Sequence, residues 1–295
     1  MPSPVLALVA GDDGVWAGGL GGVAWYSDDN GWTPLTAGLP VRSVAALASG
    51  SGSLFAGGER GIARSKDGGR IWTRCAVPDG TNAMAALALS PRFLQDGTAL
   101  AATLEHGVYR STDFGESWQP SSFGLQSSEV LALAWGMGES VIAATSSGLY
   151  RSRNEGRAWQ LCQQTAGTAF VTLTVLTDGE VLAAPEMGPL LRSAENHTAW
   201  SPHGELPADI RTSAVLALGG ERILMGTADH GLLLSTDDGA AWSAVSTASA
   251  LSLAANEGRV FAGTSAGVIV SADGGETWTD LSPPPLHDLH QMLLV

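Results

Sequence analysis

Apolar residues in this chain come in short runs, four to seven residues long, broken by Gly, Asp, Asn and Ser. VAALAS, LFAGG, VIAAT and VFAGT are typical. Such runs are too short for helices, and they favour Val, Ile, Leu and two-residue alternation over a 3.6-residue stripe. Each therefore predicts a strand, and each polar interval a turn. The runs recur in a fixed order. An apolar run, a Gly-containing turn and a second run lead through a tight turn, usually ending in Gly, to a third run. A polar turn then precedes a short run that starts at Trp.

That last turn has its own spelling, S-x-D-x-G-x-x-W. It is intact in SKDGGRIW (65–72), STDFGESW (111–118), STDDGAAW (235–242) and SADGGETW (271–278). SDDNGW (27–32) is two residues short. SRNEGRAW (152–159) has Asn154 for Asp, and SAENHTAW (193–200) has Glu195 for Asp and His197 for Gly. The closing residues are Trp32, Trp72, Trp118, Trp159, Trp200, Trp242 and Trp278, spaced 36 to 46 residues apart. Seven units of four strands predict an all-β fold, a seven-bladed β-propeller of four-stranded antiparallel blades. A solenoid is the competing array, but no unit reads as a cap. The expected organisation is a single domain over 1–295, with repeats across about 5–281 and a tail or extra strand at 282–295.

In each turn Gly supplies a backbone conformation that a side chain penalises. Ser and Asp can bond the turn backbone, and Trp folds apolar area onto the sheet. Ser65, Asp67, Trp72, Ser111, Asp113, Trp118, Ser235, Asp237, Trp242, Ser271, Asp273 and Trp278 are therefore expected to be structural rather than catalytic.

Charge narrows the function classes. Fifteen Lys+Arg against 29 Asp+Glu give a formal net charge of −14, which repels phosphate backbones, so no nucleic acid is expected. The single Lys, Lys66, sits in a turn, which argues against lysine-dependent chemistry. No apolar stretch reaches eighteen residues, so no membrane insertion is expected. The start lacks a basic n-region, and a cytoplasmic location is expected. Cys75 and Cys162 each lie three residues after a box Trp, at equivalent positions two blades apart, and are expected to be free thiols. The HDLH segment (His287, His290) is a poor metal motif; neither a metal nor a cofactor is expected.

The repeated string resembles the Asp-box, or BNR repeat, of sialidase-like and sortilin-like propellers, over all seven units. In size and unit count the chain is also similar to photosystem II assembly factors, single propellers without catalysis. The resemblance implies the fold. It does not bring an active site with it: sialidases of that family use an arginine triad, a tyrosine–glutamate couple and an acidic donor. Here Tyr26, Tyr109 and Tyr150 fall in third-strand positions, and Arg64, Arg110, Arg151 and Arg192 recur immediately before a box serine. Catalytic residues are expected to be none. The expected function is a non-catalytic scaffold or assembly subunit that binds a protein partner. A carbohydrate-active or carbohydrate-binding protein is the alternative.

In an up-and-down blade, second-to-third-strand turns and blade connections share one face, and the box turns lie on the other. Candidate partner-binding residues on the first face are Arg42, Glu59, Arg60, Glu105, His106, Asp229 and His230. Glu186 and Met187 occupy an equivalent turn, and Arg92, His203 and Arg211 are expected in connections. The two acid–His–Gly tripeptides, in blades three and six, would face each other across the channel. Arg and His there can form charge-assisted bonds, and His titrates near neutral pH.

Overall fold

The computed structural model describes residues 4–286 apart from 12, 13, 51, 82, 137, 195, 196, 207, 208, 257 and 282–285. It contains seven four-stranded sheets, each in sequential strand order. Blade one comprises Val5–Gly11, Gly14–Gly19, Gly22–Ser27 and Gly31–Pro34. Blade seven comprises Ala250–Asn256, Arg259–Thr264, Gly267–Ser271 and Thr279–Leu281. Every strand pair is antiparallel, as in Leu47↔Ala56 and Ala56↔Ala63 of blade two. The innermost strands line a central channel of about 310 Å3 walled by Ala, Leu, Val, Ser and Thr. Helix is confined, among the described residues, to one turn at Phe93–Asp96 and a 3-10 turn at Gln163–Thr165.

The box turns show why their spelling recurs. Ser65 Oγ donates to Asp67 Oδ1 at 2.7 Å and accepts the Gly69 amide at 2.8 Å. Asp67 Oδ1 also accepts the amide of Ile71, the residue before Trp72, at 2.9 Å. The same three bonds recur around Asp113, Asp237 and Asp273. Bonds from the Thr277 hydroxyl and amide, then from Ser271, hold the Asp273 carboxyl well below the usual carboxylate range. Asn154 substitutes well because only an acceptor oxygen is needed: it takes Ser152 Oγ at 2.9 Å and the Ala158 amide at 3.0 Å. Box Gly sits at positive φ, between 82° and 99° at Gly69, Gly115, Gly156, Gly239 and Gly275, a region unfavourable for other residues. His197 fills that place at φ 62° and turns its Nδ1 to Ser193 Oγ at 2.9 Å. Glu195 lies outside the described residues.

Among the described residues, every blade is built from four strands consecutive in sequence, at the seam as elsewhere. At the seam, Ser252 Oγ donates to the Val5 carbonyl at 3.3 Å, and the Asn256 side-chain Nδ2 donates to the Gly11 carbonyl. Leu286 is fully buried in a cluster with Val5, Phe261 and Val268. His287, His290 and the rest of the 287–295 segment lie outside the described residues.

Candidate functional site

The meander puts box turns and first-to-second-strand turns on one face. There, cations are consumed by bonds between blades. Arg64 of blade two donates to the Phe114 carbonyl and to Glu116 Oε1 at 3.1 Å, both in the box of blade three. Arg110 reaches Glu155 of the next box through its carbonyl and Oε2, both at 2.9 Å. Arg192 reaches Asp238 at 2.9 Å while holding Glu180 and Asp178. Arg222 donates to the Gly274 carbonyl at 2.9 Å and Glu276 at 3.2 Å. Arg259 crosses the seam to Asp28 at 2.7 Å. Between blades one and two the donor is the Trp16 indole, 3.2 Å from the Gly68 carbonyl. Gly68, Phe114, Glu155, Asp238 and Gly274 all occupy the fourth box position, at φ 57° to 75°.

The opposite face carries the predicted residues. Glu59, Arg60, Glu105, His106, Asp229 and His230 are exposed in second-to-third-strand turns, and Arg42 is exposed at the start of the adjoining innermost strand. Arg42 pairs in register with Glu59, whose Oε1 accepts Ser43 Oγ at 3.1 Å. The two acid–His–Gly turns are twins. Thr103 Oγ1 accepts the His106 amide at 2.9 Å and donates to the Gly107 carbonyl at 2.9 Å; Thr227 does the same for His230 and Gly231 at 2.9 and 2.8 Å. His106 Nε2 is 4.0 Å from Glu105, and His230 Nε2 is 3.6 Å from Asp209. Arg211 stands 4.0 Å from Glu186. Arg74 donates to the carbonyls of Arg60 and Pro40.

Two expected residues belong elsewhere. Arg92 lies between the first and second strands of blade three and pairs with Glu155 at 3.1 Å, on the box face. The extra length of that unit is an insertion bearing the Phe93–Asp96 turn, not a longer connection. His203 ends the fourth strand of blade five, with Nε2 3.3 Å from Asp238 in the next box.

Of the apolar part of this face, sequence reasoning named only Met187. Leu20, Leu104, Met187 and Leu251 are 54, 41, 56 and 41 % exposed. The first three sit in second-to-third-strand turns, and Leu251 follows the first residue of an innermost strand. An apolar residue beside a strand end reads as part of the strand, so no signal set Leu20, Leu104 and Leu251 apart. Among the described residues no group of three metal-ligating side chains occurs, and no helix is long and apolar enough to cross a membrane.

The family model for the BNR/Asp-box repeat matches residues 109–120, the end of the third strand and the box of blade three. The chain is a BNR/Asp-box β-propeller. Among solved structures, this Asp-box propeller is similar to YCF48 bound to a D1 peptide, at 17 % identity and TM-score 0.71, over 91 % of this chain and 92 % of that one. It is similar to the extracellular domain of the putative one component system BT4673 from B. thetaiotaomicron, at 16 % identity and TM-score 0.74, over 92 % and 38 %. The Niastella koreensis GH74 enzyme matches at 14 % identity and TM-score 0.71, over 94 % and 54 %. At these identities the likeness shows the fold. No curated protein matches the sequence.

Both thiols of the Asp-box propeller are free and buried. Burial, partly offset by a Trp118 bond, pushes the Cys75 thiol up to about 11, and Cys162 is raised for the same first reason. Neither is poised as a nucleophile.

Proposed function

We propose that this Asp-box propeller is a non-catalytic protein-interaction module that meets its partner on the face opposite the boxes. The observation that carries this reading is the exposed aliphatic set, Leu20, Leu104, Met187 and Leu251, interleaved with charged turns around the channel. Exposed aliphatics among mixed charges suit a protein surface. Glycoside cleavage asks instead for two carboxylates facing one bond. Glu59, Glu105 and Glu186 each face a neighbour in their own turn or the adjoining connection. The described channel lining contains no carboxylate. A YCF48 propeller with a bound peptide supports the reading by analogy; the GH74 likeness keeps a carbohydrate arm in the test. The buried free thiols suit a reducing compartment, and we place the protein in the cytoplasm.

Affinity purification from the native host, with the parent and with Leu20, Leu104 and Met187 all changed to Ser, tests the proposal. The parent should recover a partner that the triple variant loses, with equal melting temperatures. Equal recovery by both, with loss on changing the box face, refutes the placement. Hydrolysis of an arrayed glycan by the parent moves the function to the carbohydrate class.

A further inference from the structure

We infer that the partner segment taken by this face is basic and aliphatic: an extended stretch of protein carrying Lys or Arg beside Leu, Ile, Val or Met. The inference rests on the proposed interaction face and adds the chemistry of its occupant.

The two faces treat their carboxylates differently. On the box face, Glu116, Glu155, Asp238, Glu276 and Asp28 each have a guanidinium from the preceding blade within 3.2 Å. Across the molecule, among the described residues, Glu59 bonds only the Ser43 hydroxyl, and its register partner Arg42 does not close an ion pair with it. Among the described residues, Glu105 has only the His106 imidazole at 4.0 Å. The carboxylates of Glu129 and Asp229 have no partner among the described residues. Of the cations nearby, Arg74 is taken by two carbonyls, Arg211 stands beside Glu186, and Arg42 and Arg60 are exposed beside Glu59. Among the described residues, Glu105, Glu129 and Asp229 are thus exposed carboxylates without an Arg or Lys, on the face where the channel walled by Ala, Leu, Val, Ser and Thr opens. An acidic ligand meets repulsion there, whereas a basic one gains attraction that is stronger once water is displaced.

The aliphatics fix the second half of the class. Leu104 adjoins Glu105, and Met187 adjoins Glu186, so two turns offer an aliphatic and an acid side by side. Successive residues of an extended segment point to alternate sides. Alternating or mixed basic and aliphatic residues match this spacing of acid and apolar spots. The channel below, about 310 Å3 and walled by Leu, Ala and Val with some Ser and Thr, has room for one aliphatic side chain.

The test uses the full chain and an acetylated, amidated hexapeptide of alternating lysine and leucine. Alternating glutamate–leucine and lysine–serine hexapeptides serve as controls. Binding is read by fluorescence anisotropy and located by amide hydrogen exchange. The lysine–leucine peptide should bind saturably, weaken with salt, and protect amides at 104–107 and 229–231. Glu105→Gln with Asp229→Asn should weaken it about tenfold, as should Leu104→Ser with Met187→Ser, without a change in melting temperature. Both control peptides should bind far more weakly. No binding by the parent, or binding unmoved by the carboxylate pair, overturns the inference. Protection of the same turns by the glutamate–leucine peptide overturns the basic class yet leaves the interaction face standing. Protection confined to the box turns overturns both.

Discussion

The box tryptophans should differ in worth, and Trp118 and Trp32 make the comparison. Trp118 is fully buried, packs edge-on against Phe55 with ring centroids 6.4 Å apart, and donates its indole N–H to the Gly115 carbonyl at 3.2 Å. Trp118→Ala removes that bond and leaves a cavity among Phe55, Phe93 and Tyr109. Such changes cost about 3–5 kcal/mol. Unfolding entropy of about 2.1 cal/mol/K per residue over 295 residues gives roughly 0.6 kcal/mol/K. The expected fall in melting temperature is therefore about 5–8 °C. Trp32, in the shortened box, is only partly buried, and its indole N–H has no hydrogen-bond partner among the described residues. Its replacement by Ala forfeits part of a side chain's burial and no hydrogen bond, about 2 kcal/mol and roughly 3 °C. Scanning calorimetry, checked by urea unfolding, measures both. Equal shifts would refute the link drawn here between box length, burial and stability.

Arg110→Met should lower the urea midpoint by the equivalent of about 2 kcal/mol. It strips a guanidinium from Glu155, whose side chain is 10 % exposed, although Arg92 and Arg157 remain on that carboxylate. Arg92→Ala, at 59 % exposure, should cost less than about 1 kcal/mol, so equal losses contradict the clamp. Burial, then the Arg151 charge, holds the His197 imidazole below its usual 6.5 against an opposing pull from Glu180. Its neutral form is the one the fold accepts, so its contribution is complete above about pH 6.5 and is lost as pH falls toward the lowered folded value. His197→Gln should accordingly show a smaller drop in urea midpoint from pH 7 to pH 5 than the parent; equal drops reject the assignment. Cys75 and Cys162 should resist a thiol reagent at pH 8 in the native protein and both react on denaturation without reductant, whereas an intramolecular disulfide by intact mass contradicts their placement.

The blades were legible because the box is local. Ser, Asp, Gly and Trp interact within eight residues, so their spacing survives in the string. The clamps were only half legible. Arg64, Arg110, Arg151 and Arg192 stood out as equivalent positions before the box serine, but the acceptors of Arg64, Arg110 and Arg192 lie 45 to 52 residues on, and two of these arginines also use a carbonyl that no side chain spells. Later blades break the equivalence. Leu234 and Val270 take the arginine's place in the third strand, and the guanidinium comes instead from Arg222 or Arg259, at the start of the second. In blade one the place is held by Trp25, paired across the sheet with Trp16. The same contact is kept in space by residues that are not equivalent in sequence. Arg92 and His203 were misplaced for a related reason: run lengths show that a unit is long but not which of its turns has grown, nor where an outermost strand delivers its last side chain.

A turn that satisfies itself also joins the ring. The Ser–Asp pair fixes the box, and the fixed box holds its fourth residue in the left-handed region. Leaving that region open only to Gly would waste the position; Phe114, Glu155 and Asp238 accept its cost, of order 1 kcal/mol each. In return their carbonyls or carboxylates meet a donor from the preceding blade. The arrangement also holds the seam, where Arg259–Asp28 is the corresponding link. It also sorts the charges of an acidic chain. Carboxylates on the box face are committed to holding blades together, and altering them costs stability. Those on the other face hold little in place, so they can change with a partner at small structural cost. A face with that freedom, beside exposed Leu and Met, is where recognition can evolve without unfolding the ring.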